Sequence, residues 1–81
     1  MPYIKKEDRK KWEQLTFIMP ATAGELNYFI TKLCLFFAGD KPNYAKYNEI
    51  IGVLECCKLE FYRRVLAKYE DTKIKENGDI Y

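Results

Sequence analysis

Apolar residues recur at helical spacing in three stretches of the chain, and they divide it into three predicted helices. Trp12, Leu15 and Ile18 share one face, which indicates a first helix from about Lys6 to Ile18. Pro20 follows and ends this helix, because a proline ring fits poorly inside one. The residues before the first helix read as a short extended segment.

The second predicted helix begins at a capping box. Thr22 can accept the backbone N–H of Glu25, and the Glu25 carboxylate can reach back toward the start of the helix. Gly39 is expected to end the helix, and a polar turn follows it. The apolar face of this helix comprises Leu26, Phe29, Ile30, Leu33, Phe36 and Phe37.

The third pattern, residues 43–70, is the longest, and Asn43 is its predicted N-cap. Its broad apolar stripe comprises Tyr47, Ile50, Ile51, Val53, Leu54, Cys57, Phe61 and Val65; a second, adjoining stripe comprises Leu59, Tyr62 and Leu66, with Glu55 inside it. Because a surface helix needs only one apolar face, we expect one side to form the core and the other to pack on another subunit.

Asn77-Gly78 can be a helix end or a hairpin turn, and we prefer a frayed helix that reaches about Glu76. The last three residues then form a second extended end.

Length and cysteine content also favour association. The chain has 81 residues, enough for a single helical domain spanning residues 1–81, and domains this short bury too little surface to be very stable alone. It has three cysteines and no histidine, so neither a metal site nor a disulfide framework is expected. We predict that Cys34, Cys56 and Cys57 are buried and that the chain forms a homodimer or homotetramer.

The charged residues argue against several classes of function. The formal net charge is only +2, so the basic run at residues 5–11 reads as a solvated face and nucleic-acid binding is not expected. Glu60 precedes Arg63 and Arg64 at helical spacing, which predicts local ion pairs. No apolar run is long enough to cross a membrane. No catalytic motif or cofactor-binding motif is present, so we expect neither an enzyme nor a cofactor.

Four segments of the sequence resemble a family of short, helical, uncharacterised proteins of bacteriophages and some bacteria. They are MPYI at the start, GELNY at residues 24–28, IIGVLECCKLEFYRR at residues 50–64 and YEDTKIKENGDIY at residues 69–81. The chain is also similar to phage anti-CBASS proteins, small oligomers that bind cyclic dinucleotide alarm signals. This second resemblance implies a sponge that works in the host cytoplasm, evades host immunity and needs no catalysis.

The expected ligand is therefore a cyclic dinucleotide such as cGAMP, held between subunits. Arginines bind phosphates and aromatic rings stack on bases, while amides read base edges. On these grounds the candidate ligand-binding residues are Tyr3, Arg9, Asn27, Tyr28, Asn48, Arg63, Arg64 and Tyr81. Two alternatives stay open: a helical module that inhibits a host protein, and a small nucleic-acid-associated phage protein.

Overall fold

The computed structural model describes residues 3–13 and 19–81. Within these ranges every regular element is helical and no strand occurs, which confirms the predicted all-α class. The chain divides into two compact units, Met1–Lys41 and Pro42–Tyr81. Each unit is built around one of the two long apolar patterns in the sequence.

The start of the first unit differs from the predicted single helix. A 3-10 turn at Lys6–Asp8 is followed by a four-residue helix, α1 (Lys10–Glu13), and Arg9 separates them. Lys5, just before the turn, has extended backbone angles, as expected for the N-terminal segment. The predicted continuation through Leu15 and Ile18 lies outside the described residues.

Helix α2 (Ala23–Ala38) has the predicted boundaries. The Glu25 N–H donates to Thr22 Oγ1 at 3.1 Å, and Glu25 Oε1 accepts the Ala21 N–H at 2.8 Å. The return bond therefore goes to Ala21, one residue before the N-cap. Gly39 ends the helix with a φ of 80°, which residues with a Cβ rarely adopt.

The second unit consists of α3 (Tyr44–Phe61), a π-helical segment (Tyr62–Leu66) and α4 (Ala67–Asn77). These follow one another without a break, and we call them together the long helix. Asn43 caps its first turn, since Asn43 Oδ1 accepts the Lys46 N–H at 2.9 Å. Gly78 ends it with a φ of 84°, which confirms the helical interpretation of residues 70–77 over the hairpin.

Burial is where the structure departs most from expectation. No side chain among the described residues is buried, whether apolar or polar. The predicted core face of the long helix is therefore not buried in the isolated chain. Ile50 and Leu54 are half-buried, but Tyr47, Ile51 and Phe61 are exposed.

The prediction of buried cysteines is also wrong. Cys34 is half-buried, Cys56 and Cys57 are exposed, and all three are free thiols.

Candidate ligand-binding surfaces

An open cleft of about 670 Å³ lies on the N-terminal segment of the first unit. Two aromatic side chains, Tyr3 and Trp12, line it together with three lysines and two carboxylates. The Lys11 ammonium lies 4.9 Å from the centre of the Trp12 ring, within the range of a cation–π interaction. The cleft thus places flat aromatic surface and positive charge side by side.

Arg9 organises this cleft from behind. Its Nε donates a hydrogen bond of 2.9 Å to the Ile4 carbonyl, which ties the extended segment to the turn that follows. Its own carbonyl accepts the Trp12 N–H at 3.0 Å and so begins α1. The Arg9 side chain is half-buried in a region where its neighbours are exposed. Arg9 therefore acts first as a positioning residue for Tyr3 and Trp12.

A second open cavity, of about 660 Å³, lies at the start of α2. Its lining is mainly apolar and includes Met19, Tyr28 and Phe29. The charged side chain that lines it is the carboxylate of Glu25, which would repel an anionic ligand. Tyr28 is exposed, and the Lys32 ammonium lies 5.5 Å from the centre of its ring.

Arg63 and Arg64 lie in the π-helical segment, where both pair with Glu60 as predicted. Arg63 Nη2 lies 3.3 Å from Glu60 Oε2, and the Arg64 Nε donates to Glu60 Oε1. The two arginine side chains remain about two-thirds exposed, at 68% and 59%. Two cations against one carboxylate leave a net positive charge at this point of the long helix. π-Helical turns also occur often at functional sites.

A tyrosine in the same segment reaches along the long helix to a carboxylate eight residues later. The Tyr62 hydroxyl donates to Glu70 Oε2 at 3.3 Å. The negative charge of Glu70 raises the pKa of Tyr62 above its usual value, and partial desolvation adds to the effect. The phenol therefore stays in its neutral, hydrogen-donating form to a higher pH than a free tyrosine.

The remaining predicted ligand residues are exposed and dispersed. Asn27 lies on α2, where its backbone carbonyl accepts a hydrogen bond from the Thr31 hydroxyl at 2.8 Å. Asn48 lies on α3, 15 residues before Arg63, which corresponds to about 22 Å along a helix. Tyr81 lies in the C-terminal tail, where its N–H donates to Asp79 Oδ1 at 3.0 Å. Asn48 and Arg63 of one chain therefore cannot contact the same phosphate, and a joint site requires them from different subunits.

Sequence reasoning included Tyr3 among the ligand-binding residues but missed Lys10, Lys11 and Trp12 of the N-terminal cleft. The two lysines were assigned to a solvated face and Trp12 to the apolar face of the first helix. The available signal was the tryptophan directly after two lysines, in a segment that begins with Tyr3. The break at Arg9, which turns these residues into the walls of a cleft, has no such signal in the sequence.

Comparison with known protein families places most of the chain in an uncharacterised family. Residues 1–80 match the family described as Domain of unknown function (DUF6899). The chain belongs to this family. No curated protein and no solved structure shows significant similarity to it. Membership in DUF6899 confirms the resemblance to an uncharacterised family but carries no activity.

The residues that the structure describes show no feature that assigns a chemistry directly. Within residues 3–13 and 19–81, no group of three or more histidine, cysteine or acidic side chains could hold a metal ion. None of the helices in these ranges is long and apolar enough to cross a membrane. The candidate sites are therefore the N-terminal cleft, the Arg63–Arg64 pair and the exposed apolar helix faces.

Proposed function

We propose that this chain is a non-catalytic binding protein that assembles into a homo-oligomer and sequesters cyclic dinucleotide defence signals between its subunits. The observation that supports this proposal most is the absence of any buried side chain among the described residues. Folded proteins remove apolar surface from water, since this is the dominant favourable term in folding. Because no side chain within residues 3–13 and 19–81 is buried, the chain would gain this burial by packing against other copies.

The size of the exposed surface agrees with this proposal. The chain exposes 8011 Å², whereas a folded monomer of this mass exposes about 5100 Å². The excess is about 2900 Å² per chain, which is more than the roughly 1000–2500 Å² that one chain buries in a single obligate interface. Association over several surfaces of each chain would bring it back to the normal range.

The exposed positive charge and the resemblance to anti-CBASS proteins support the proposed ligand class. A cyclic dinucleotide carries two phosphates and two bases, and it needs cationic donors and aromatic faces. Arg63 and Arg64 would contact the phosphates, with Arg9 in support. The other predicted contacts are stacking by Tyr3, Tyr28 and Tyr81, and hydrogen bonds from Asn27 and Asn48 to base edges.

Calorimetric titration with a panel of cyclic dinucleotides tests this function. We expect micromolar or tighter binding of at least one member, and absence of binding to every member would overturn the proposal. Arg63→Ala with Arg64→Ala should weaken binding at least tenfold, because each lost charge-assisted hydrogen bond removes about 1.5–3 kcal/mol. The matched control is Lys68→Ala with Lys75→Ala, which removes the same charge from α4 and should leave binding unchanged.

The exposed face of α2 favours a second candidate, a module that docks on a host protein. Phe36 is 77% exposed, and Leu35 and Phe37 beside it are also exposed. Exposed apolar patches of this kind mark protein-interaction sites. A chain that stays monomeric and binds none of the nucleotides would favour this second candidate over the sponge.

A further inference from the structure

We infer that the N-terminal cleft binds one nucleotide of the ligand, with Trp12 and Tyr3 against the base and Lys10 and Lys11 on the phosphate. This inference rests on the proposed function and names the residues of one chain that would hold one nucleotide of the ligand. These residues differ from the arginine pair of the long helix, so each site can be tested separately.

The cleft has the dimensions of a small-molecule site. Its volume of about 670 Å³ lies within the range of roughly 300–1000 Å³ that is usual for ligand pockets. It is widely open to solvent, so a ligand can enter without a change in the backbone. The second cavity has a similar volume, which means that size alone does not separate the two.

The charge of the lining residues distinguishes the N-terminal cleft from the cavity at the start of α2. Lys5, Lys10 and Lys11 line the N-terminal cleft against two carboxylates, Glu7 and Asp8, which leaves one net positive charge. The cavity at the start of α2 has Glu25 as its charged lining residue. An anionic ligand therefore favours the N-terminal cleft.

The aromatic side chains supply the second element of nucleotide recognition. Stacking of a base on an aromatic ring contributes about 1–3 kcal/mol and does not depend strongly on which base it is. The Trp12 ring is about half exposed, at 53%, and Tyr3 is more exposed still. Because the Lys11 ammonium lies over one face of the Trp12 ring, a base stacked on the opposite face would remain close to this positive charge.

Local hydrogen bonds order the N-terminal cleft in the absence of a ligand. The Asp8 N–H donates to the Lys5 carbonyl at 2.9 Å and closes the 3-10 turn. The Arg9 side chain fastens Ile4 to the same turn. A site that is already ordered loses less conformational entropy on binding.

Trp12 is the chain's single tryptophan, so its fluorescence reports on this cleft alone. We propose to titrate the full-length protein with each cyclic dinucleotide and to follow tryptophan emission, with N-acetyltryptophanamide as the correction for ligand absorption. The expected result is saturable quenching with the same midpoint as calorimetry. Lys10→Ala with Lys11→Ala should raise that midpoint at least tenfold, whereas Lys68→Ala with Lys75→Ala should not move it. Far-UV circular dichroism checks that each variant keeps its helices.

The possible outcomes separate this site from the proposed function. Calorimetric binding without any change in Trp12 emission would overturn the cleft and leave the sponge standing. Quenching that persists unchanged in the Lys10→Ala, Lys11→Ala variant would also contradict the assignment, since the phosphate would then lie elsewhere. Absence of both signals for every nucleotide would overturn the sponge and the cleft together.

Discussion

Helix α2 and the long helix begin and end in the same way but differ in what lies between. Each has a side-chain N-cap, Thr22 or Asn43, and each ends at a glycine with positive φ. Between these ends α2 carries only two charged residues, Glu25 and Lys32. The long helix is rich in charged residues, and local ion pairs such as Glu55–Lys58 and Lys73–Glu76 run along it.

This difference indicates that the two helices depend on packing against other surfaces to different degrees. Ion pairs at helical spacing stabilise a helix from within, although each contributes only a few tenths of a kcal/mol. An apolar helix such as α2 gains its stability from packing against other apolar surface. We therefore expect α2 to depend on assembly more than the long helix does.

The largest expected effect compares two aromatic residues with the same exposure. Phe36 on α2 is 77% exposed and Tyr44 on α3 is 78% exposed. Phe36→Ala should weaken the assembly by about 3–5 kcal/mol, as truncation of a buried phenylalanine does. Tyr44→Ala should cost less than about 1 kcal/mol, as at a surface site, because its hydroxyl can stay in water at the start of the helix. Light scattering over a dilution series measures both, and equal losses would contradict the distinction.

A pair of identical glycine substitutions should have opposite effects. Gly39→Ala should destabilise the chain by about 1–3 kcal/mol, since its backbone angles belong to a region that is nearly exclusive to glycine. Gly52→Ala should stabilise the chain by about 0.5–1 kcal/mol, because Gly52 lies inside α3 and an added Cβ meets nothing within 4 Å. Urea unfolding gives both values. A loss at Gly52 would show that a neighbouring subunit approaches the backbone there.

The two N-caps should contribute about equally. Thr22→Ala and Asn43→Ala each remove one hydrogen bond to the first turn, and each should cost about 1 kcal/mol. Thermal unfolding followed by circular dichroism measures the loss. A much larger loss for Thr22 would mean that its side chain makes further contacts in the assembly.

The smallest effect concerns the ion pairs of the long helix. Lys58→Ala removes the 3.3 Å pair with Glu55 and should cost about 0.3–0.5 kcal/mol at low salt. The loss should shrink at 1 M salt, because exposed pairs are screened. Urea titrations of both proteins at the two salt concentrations provide the comparison. A loss of several kcal/mol that salt does not reduce would place Glu55 in a buried interface.

Local signals in the sequence predicted the helices well, and non-local features were harder. Thr22, Gly39 and Asn43 form hydrogen bonds with residues three or four positions away. Because these bonds are local, the residue types that form them mark the helix ends in the sequence. The π-helical segment is not marked in this way, since no residue type requires it. Burial of the cysteines was predicted wrongly because an apolar stripe shows that a helix needs a partner but not that the same chain supplies it.

The candidate site shows the same limit. Ion pairing of Glu60 with Arg63 and Arg64 followed from helical spacing alone. The N-terminal cleft, with its lysines and Trp12, lies where the Arg9 side chain bonds to the Ile4 carbonyl and where the predicted helix is interrupted. Spacing assigned these residues to the faces of one continuous helix, whereas the structure divides residues 6–13 into a 3-10 turn and α1.

The molar mass of the full-length chain in solution tests the central claim most directly. Size-exclusion chromatography with multi-angle light scattering should give an integral multiple, two or more, of the 9.7 kDa chain at micromolar concentration. The temperature of unfolding should also rise with protein concentration, because assembly stabilises the folded chain by mass action. A mass of 9.7 kDa at every concentration, together with a cooperative and concentration-independent unfolding transition, would contradict the account.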